Sequence, residues 1–100
     1  MKILIKIHRS YRNVVAVCDE DLVGKKFEDE KRQLDIKEHF FKGEEYDEKG
    51  AVEFIKRQLG EDSTFNIVGK NSLRVAIEAG LISEENIIYI GEVPFSIVLV

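Results

Sequence analysis

The chain has 100 residues, of which 44% are hydrophobic and 34% charged, and its net charge is −4. This length and composition are typical of a single folded domain and exclude a disordered chain. The apolar runs are far shorter than the roughly 20 residues of a membrane-spanning helix, so no membrane association is expected.

The first elements in the chain are two predicted strands that form an N-terminal hairpin. Residues 2–9, KILIKIHR, alternate three isoleucines on one face with polar side chains on the other, which is typical of a strand with one wet face. Residues 13–18, NVVAVC, are apolar almost throughout, which favours a more central strand. A short helical turn is expected next, capped by Asp19 and ended at Gly24 by a positive φ.

The middle of the chain predicts one strand and one helix. The mixed charge run GKKFEDEKRQ is typical of a solvated turn, RQLDIKEHF of a strand and FKGEEYD of a loop. Residues 47–60 then predict a helix, because apolar side chains recur along one stripe. Asp47 is the expected N-cap and Gly60 the residue that follows the helix.

The C-terminal part predicts a strand, a helix and two further strands. TFNIV leads through Gly69 into the helix NSLRVAIEA, which Gly80 ends, and NIIYI follows as a strand; together they form a βαβ-like unit. EVPFSIVLV is the last strand, and Pro94 should lie at its start or on an edge. The prediction is one small α+β domain over residues 1–100, with a mixed sheet that is partly wet on one face and two main helices.

The start of the second helix is a candidate anion site, formed by Gly69, Lys70, Asn71 and Ser72. A helix N-terminus with free amides and a nearby lysine attracts anions. The glycine spacing of a Walker loop or a dinucleotide fingerprint is missing, so a nucleotide site is not predicted. The alternative is a tight turn at Gly69 with Asn71 or Ser72 as the helix cap.

A basic patch on the N-terminal hairpin is the main candidate for partner binding. Residues 1–32 carry a net charge of +2 and residues 33–100 a net charge of −6. Basic side chains beside a tyrosine suit phosphate contact combined with base stacking. The patch comprises Lys2, Lys6, His8, Arg9, Tyr11 and Arg12. The alternative is an ordinary wet sheet face with a lysine-rich edge that blocks aggregation. If the patch meets RNA, changing Arg9 and Arg12 to Glu should leave the melting temperature nearly unchanged, since exposed charges contribute little to stability.

No catalytic residue, metal site or cofactor is predicted. Cys18, His8 and His39 lack the paired spacing of zinc ligands, so Cys18 is interpreted as a buried structural thiol. A cysteine nucleophile would need a base, and His8 is the nearest candidate if the hairpin register allows it. The single cysteine, together with the absence of a signal-peptide pattern, favours a cytoplasmic protein.

Several short motifs follow one another along the chain: Cys18-Asp19 with Leu22 and Gly24-Lys25, then Asn66 to Gly69, then Ala79 to Leu81, and last Gly91, Val93 and Pro94. The order of these motifs resembles the archaeal proteins grouped as family 424 of the domains of unknown function. The resemblance covers nearly the whole chain. It implies an archaeal cytoplasmic protein of small α+β form, and it brings no catalytic residues.

Three classes of function remain open from the sequence. The first is a non-enzymatic interaction module that binds RNA or ribosome-associated proteins through the basic patch. The second is a small ligand-binding protein or enzyme that uses the helix start at residues 69–72. The third is a protein that works by self-association, for example as a homodimer, at an exposed strand edge.

Overall fold

The computed structural model describes residues 2–100 and contains a six-stranded sheet, a two-stranded sheet and three helices. The strands are β1 (Ile3–His8), β2 (Asn13–Asp19), β3 (Lys26–Glu28), β4 (Gln33–Asp35), β5 (Glu44–Tyr46), β6 (Ser63–Val68), β7 (Ile88–Ile90) and β8 (Val93–Leu99). The helices are α1 (Glu38–Phe41), α2 (Glu48–Gln58) and α3 (Lys70–Glu78), and 3₁₀ turns cover Glu20–Leu22 and Glu84–Asn86.

The main sheet is mixed, with strand order β5-β1-β2-β6-β8-β7. Strands β1 and β2 form the predicted antiparallel hairpin, and β2 runs parallel to β6. Strands β6 and β7 both pair antiparallel with β8, so they run in the same direction with β8 between them. The predicted βαβ-like unit is therefore present, with the last strand of the chain inserted into it, and the α+β class is confirmed.

Helices α2 and α3 cover one face of this sheet. The isoleucines of β1, Val15 and Val17 of β2 and Phe65 of β6 meet the apolar sides of both helices in one core. Asp47 caps α2 as predicted, accepting a hydrogen bond from the amide of Gly50 at 2.7 Å. Gly80 follows the C-cap of helix α3 with a φ of +84°, and the amide of Leu81 donates back to the carbonyl of Ala76. That pair of features is the expected Schellman ending.

The opposite face of the sheet is covered over only part of its length. The β3–β4 hairpin and α1 lie over a second core, in which Ile36 and Phe41 pack on Ala16, Cys18 and Val68. Beyond this cover, β8 leaves Ile97 58% and Leu99 71% exposed. The predicted partly wet face is thus real, and it is confined to one end of the sheet.

Three short elements differ from the sequence prediction. The charge run expected to be a turn forms β3 and pairs with β4. The end of the predicted strand RQLDIKEHF is instead α1, and the predicted loop contains β5, which pairs with Ile3–Ile5 of β1. Each of these elements is only three or four residues long, so tertiary contacts rather than periodicity determine them.

Candidate functional site

The start of α3 already holds an anion, and that anion is the side chain of Asp19. The carboxylate accepts hydrogen bonds from the amides of Asn71 and Ser72 at 3.1 and 2.8 Å. It also accepts from the Asn71 carboxamide at 3.2 Å and the Ser72 hydroxyl at 2.7 Å. An external anion at Gly69–Ser72 would have to displace this buried carboxylate to reach the same two amides.

Gly69 is required for this arrangement. Its φ is +106°, and a Cβ at this position would overlap the carboxylate of Asp19. Neither Asn71 nor Ser72 caps the helix, because Gly69 is the N-cap residue and the cap is supplied by Asp19 from another part of the chain. The remaining member of the predicted site, Lys70, is exposed.

The prediction that Asp19 caps its own turn is therefore wrong. The turn Glu20–Leu22 has no side-chain cap, and Asp19 is 4% exposed beneath α3. The cause lies in the topology. Cys18 pairs with Val68 in the parallel β2–β6 ladder, so the residue after Cys18 lies beside Gly69 at the start of the helix. An aspartate directly after a buried strand is a weak sequence signal for this arrangement, since it does not identify the partner helix.

Cys18 is a buried thiol, as predicted from its position in an apolar strand. Burial raises its pKa to about 12, and the charges of Asp19 and Asp21 add to the effect. In the β1–β2 register Cys18 lies opposite Leu4, and His8 is four residues further along β1, which is roughly 13 Å. His8 therefore cannot act as its base. Among residues 2–100, no cluster of three or more His, Cys, Asp or Glu could hold a metal ion.

The predicted basic patch is divided by the fold. Lys2 and Arg9 lie at opposite ends of β1, roughly 23 Å apart along the strand. Lys6 donates from Nζ to the carbonyl of His39 at 2.6 Å. His8 donates from Nε2 to the carbonyl of Phe40 at 2.8 Å, and its ring stacks on Phe40 with 4.4 Å between centroids. Lys6 and His8 thus fix α1 against the hairpin.

Arg12 has a structural role that the sequence did not reveal. Its guanidinium donates to the carbonyls of Val100 and Ser63 at 2.7 and 3.2 Å and to the Thr64 hydroxyl at 3.2 Å. These bonds join the hairpin to the start of β6 and the end of β8. The expectation that Arg12 is a freely exposed charge is therefore wrong, whereas Arg9 and Tyr11 are exposed at the hairpin tip.

The fold brings two further lysines, Lys37 and Lys42, close to Lys6. An open cavity of about 550 Å³ beside α1 is lined by Lys6, Lys37 and Lys42, with Asp35 and Glu38 at its wall. A neighbouring groove of about 360 Å³ shares Lys6 and Lys42 and extends to Arg9. We call the four residues Lys6, Arg9, Lys37 and Lys42 the cationic flank. No local sequence pattern predicts that Lys37 and Lys42 lie near β1, because α1 was not predicted as a helix.

No helix in the part of the chain that the structure describes is both long and apolar enough to cross a membrane.

Comparisons with known proteins identify a matching family and a similar solved structure. A family model described as "Protein of unknown function (DUF424)" matches residues 8–100. The crystal structure of an uncharacterized conserved protein from Methanopyrus kandleri is similar, with a TM-score of 0.90 and 28% sequence identity. The similarity covers 99% of this chain and 91% of the other. The curated proteins contain no match.

Proposed function

Because this chain belongs to the DUF424 family of proteins of unknown function, we propose its function from its own surface: a non-enzymatic binding module that contacts RNA in the cytoplasm. The main support for this proposal is the cationic flank, which continues to the exposed hairpin tip. Tyr11 at that tip is fully exposed, and Arg9 is beside it in the sequence. An unpaired base can stack on a free tyrosine ring while basic side chains meet the neighbouring phosphates.

The geometry supports a modest contribution from charge. Lys42 pairs with Glu38 across 3.5 Å, but both side chains are about two-thirds exposed, so the pair is weak and can exchange for a phosphate. Lys6 keeps its bond to the carbonyl of His39 while its charge still faces the cavity. Three phosphate contacts, from Arg9, Lys37 and Lys42, are a reasonable maximum for this flank. The rest of the surface is acidic and opposes non-specific attraction.

The test is a titration of labelled single-stranded RNA, followed by fluorescence anisotropy at several salt concentrations. Three contacts give an expected slope of log affinity against log salt of about −2, at about 0.7 per contact. Arg9→Glu and Lys42→Glu should each weaken binding, and Tyr11→Ala should weaken it without changing the slope. Lys31→Glu, in the exposed turn of the other hairpin, is the matched control. Absence of binding at low salt, or equal binding by the charge-reversal variants, would disprove the proposal.

Self-association is the second candidate, and one observation favours it. Ile97 and Leu99 stand exposed on β8, on the same sheet face and directly opposite Asn66 and Thr64 of β6. Exposed aliphatic side chains on an open sheet face are a common basis for contact between copies. Sedimentation equilibrium tests this candidate: a dimer should form as concentration rises and be lost in Leu99→Lys. A monomer at every concentration would eliminate it.

The ligand-binding or enzymatic alternative has lost its main support. It relied on free amides at residues 69–72, and Asp19 accepts hydrogen bonds from two of these amides.

A further inference from the structure

Half of the outer edge of β1 has no strand beside it. Strand β5 pairs only with Ile3, Leu4 and Ile5, whereas β2 pairs with β1 along its whole length. Residues Lys6 to His8 therefore have a strand neighbour on one side only. Strand β5 does not extend along Lys6 to His8. Helix α1 precedes β5 in the chain, and the chain reaches the edge of β1 only at Gly43, beside Ile5. A Cβ at Gly43 would overlap the carbonyl oxygen of Ile5.

The main-chain groups of Ile7 point to this open side. On β1, the carbonyl of Lys2 accepts from the amide of Glu20, next to β2, while the carbonyl of Ile5 faces Gly43, next to β5. In an antiparallel ladder the two directions alternate from residue to residue. The N–H and C=O of Ile7 therefore point outward, away from β2. Among residues 2–100, no main-chain group of a turn or loop hydrogen-bonds to Ile7, and the pairing with β5 stops at Ile5.

The open edge forms one wall of the groove of about 360 Å³ described above. On one side of the edge lie the partly buried side chains of Ile7, Tyr46 and Phe54, the last two with ring centroids 5.4 Å apart. On the other side lie Lys6 and Lys42. Side chains of a strand alternate between its two faces, so a strand added here would direct every second side chain to the apolar side and the others to the lysines.

Charge distinguishes among the occupants that could pair with this edge. A second copy that paired antiparallel through Ile7 would bring the Lys6 side chains of both copies to diagonal positions on one face, within reach of each other, and like charges disfavour such pairing. RNA can meet the lysines but offers no row of alternating N–H and C=O groups to Ile7. An extended peptide with acidic side chains satisfies both the main-chain groups and the lysines. Glu44 is the one acidic side chain in the groove.

We propose that the unpaired half of β1 binds an extended acidic segment of another protein by strand addition, with aliphatic side chains alternating with glutamate or aspartate. The peptide hydrogen-bonds to Ile7, its aliphatic side chains pack on Ile7 and Phe54, and its carboxylates face Lys6 and Lys42. Arg9 adds a positive charge at the end of the groove. Main-chain pairing supplies affinity and the alternating side chains supply specificity. This inference is independent of RNA binding.

The test is an NMR titration of ¹⁵N-labelled protein with a capped pentapeptide in which glutamate alternates with valine. The amide signals of Ile7 and Arg9 should shift and saturate. A peptide with lysine in place of glutamate should bind at least about tenfold more weakly, since like charges then face each other. The glutamate peptide with alternate amides N-methylated should lose the Ile7 shift, because it cannot pair with the edge.

Two surface variants complete the test. Lys42→Glu should weaken binding of the glutamate peptide by about tenfold, and Lys31→Glu should leave it unchanged. The proposal is overturned if the peptide gives no saturable shift at Ile7. It is also overturned if the N-methylated peptide binds equally well, or if single-stranded RNA shifts the Ile7 amide and the peptide does not. Because RNA anisotropy is measured separately, failure of one proposal leaves the other assessed on its own result.

Discussion

Replacement of Asp19 by alanine should be among the most destabilising single substitutions in this protein. The Asp19 carboxylate is 4% exposed and accepts four hydrogen bonds from the first turn of α3. Alanine would remove the acceptor and leave the donors in place. Two of those donors, the amide and the hydroxyl of Ser72, belong to a residue with no exposed surface. A buried donor without a partner costs more than the bond itself contributed.

The size of the effect follows from the separate contacts. Hydrogen bonds to a charged group contribute about 1.5–3 kcal/mol each, and the two at Ser72 cannot be replaced by bulk water. The two hydrogen bonds from Asn71 come from a half-buried residue, so their loss should cost less. We expect Asp19→Ala to lower the free energy of unfolding by about 3–5 kcal/mol, near the upper limit for single substitutions. Asp19→Asn should lower the free energy of unfolding by about 2 kcal/mol. The carboxamide oxygen of the asparagine can still accept hydrogen bonds, but its NH2 group would face other donors.

Urea unfolding followed by circular dichroism measures these differences. Asp47→Ala is the matched control, since Asp47 also caps a helix but accepts a single hydrogen bond at an exposed site. It should cost about 1 kcal/mol, the ordinary value for a lost N-cap. The reasoning fails if Asp19→Ala is no more destabilising than Asp47→Ala, or if Asp19→Asn is as stable as the wild type.

Three further predictions concern buried or half-buried groups. Because burial raises the Cys18 pKa from 9.0 to about 12, only the unfolded chain ionises in that interval, so stability should fall from pH 9 upward. The fall should be smaller in Cys18→Ala, with the remainder at higher pH coming from Tyr46, whose pKa burial also raises. A thiol reagent should label the native wild type only slowly. Arg12→Ala should cost about 1–3 kcal/mol in urea unfolding while Arg9→Ala stays near zero, and equal effects would contradict the assigned role of Arg12. Among residues 2–100, Ser63 has the buried side-chain oxygen without a partner, so Ser63→Ala should be neutral or stabilising by up to about 1 kcal/mol, and a clear loss would refute this.

The sequence predicted the elements whose signals are local. The apolar stripe and Asp47 mark α2 correctly, and Gly80 with Leu81 marks the end of α3, because these features depend on residues within one or two helical turns. The alternation of isoleucines in β1 and the apolar run of β2 also predict the hairpin that is observed. The apolar character of residues 13–18 further indicated a buried strand, and β2 is buried from Val15 to Asp19.

The candidate sites were predicted less well, because their residues make contacts between distant parts of the chain. Asp19 bonds to residues 52 and 53 positions away, and Arg12 bonds to Val100, 88 positions away. No spacing rule relates such pairs, so a capping aspartate and a structural arginine look like exposed polar residues in the sequence. The same reason hid Lys37 and Lys42, which reach the hairpin only because α1 packs on His8 and Lys6.

The two binding proposals share Lys42 and Arg9, so charge reversal at these positions cannot separate them. What separates them is the chemistry that each partner needs beyond charge. Strand addition depends on the outward N–H and C=O of Ile7, and methylation of the peptide amides removes that pairing without changing any charge. RNA contact depends on stacking at Tyr11, which lies at the hairpin tip and whose ring has no main-chain role. A Tyr11→Ala protein that binds the peptide normally but RNA poorly would therefore place the two partners on adjacent parts of one basic surface. If Tyr11→Ala weakened both partners equally, the groove and the tip would have to be a single site, and the independent assignment of the peptide to β1 would be wrong.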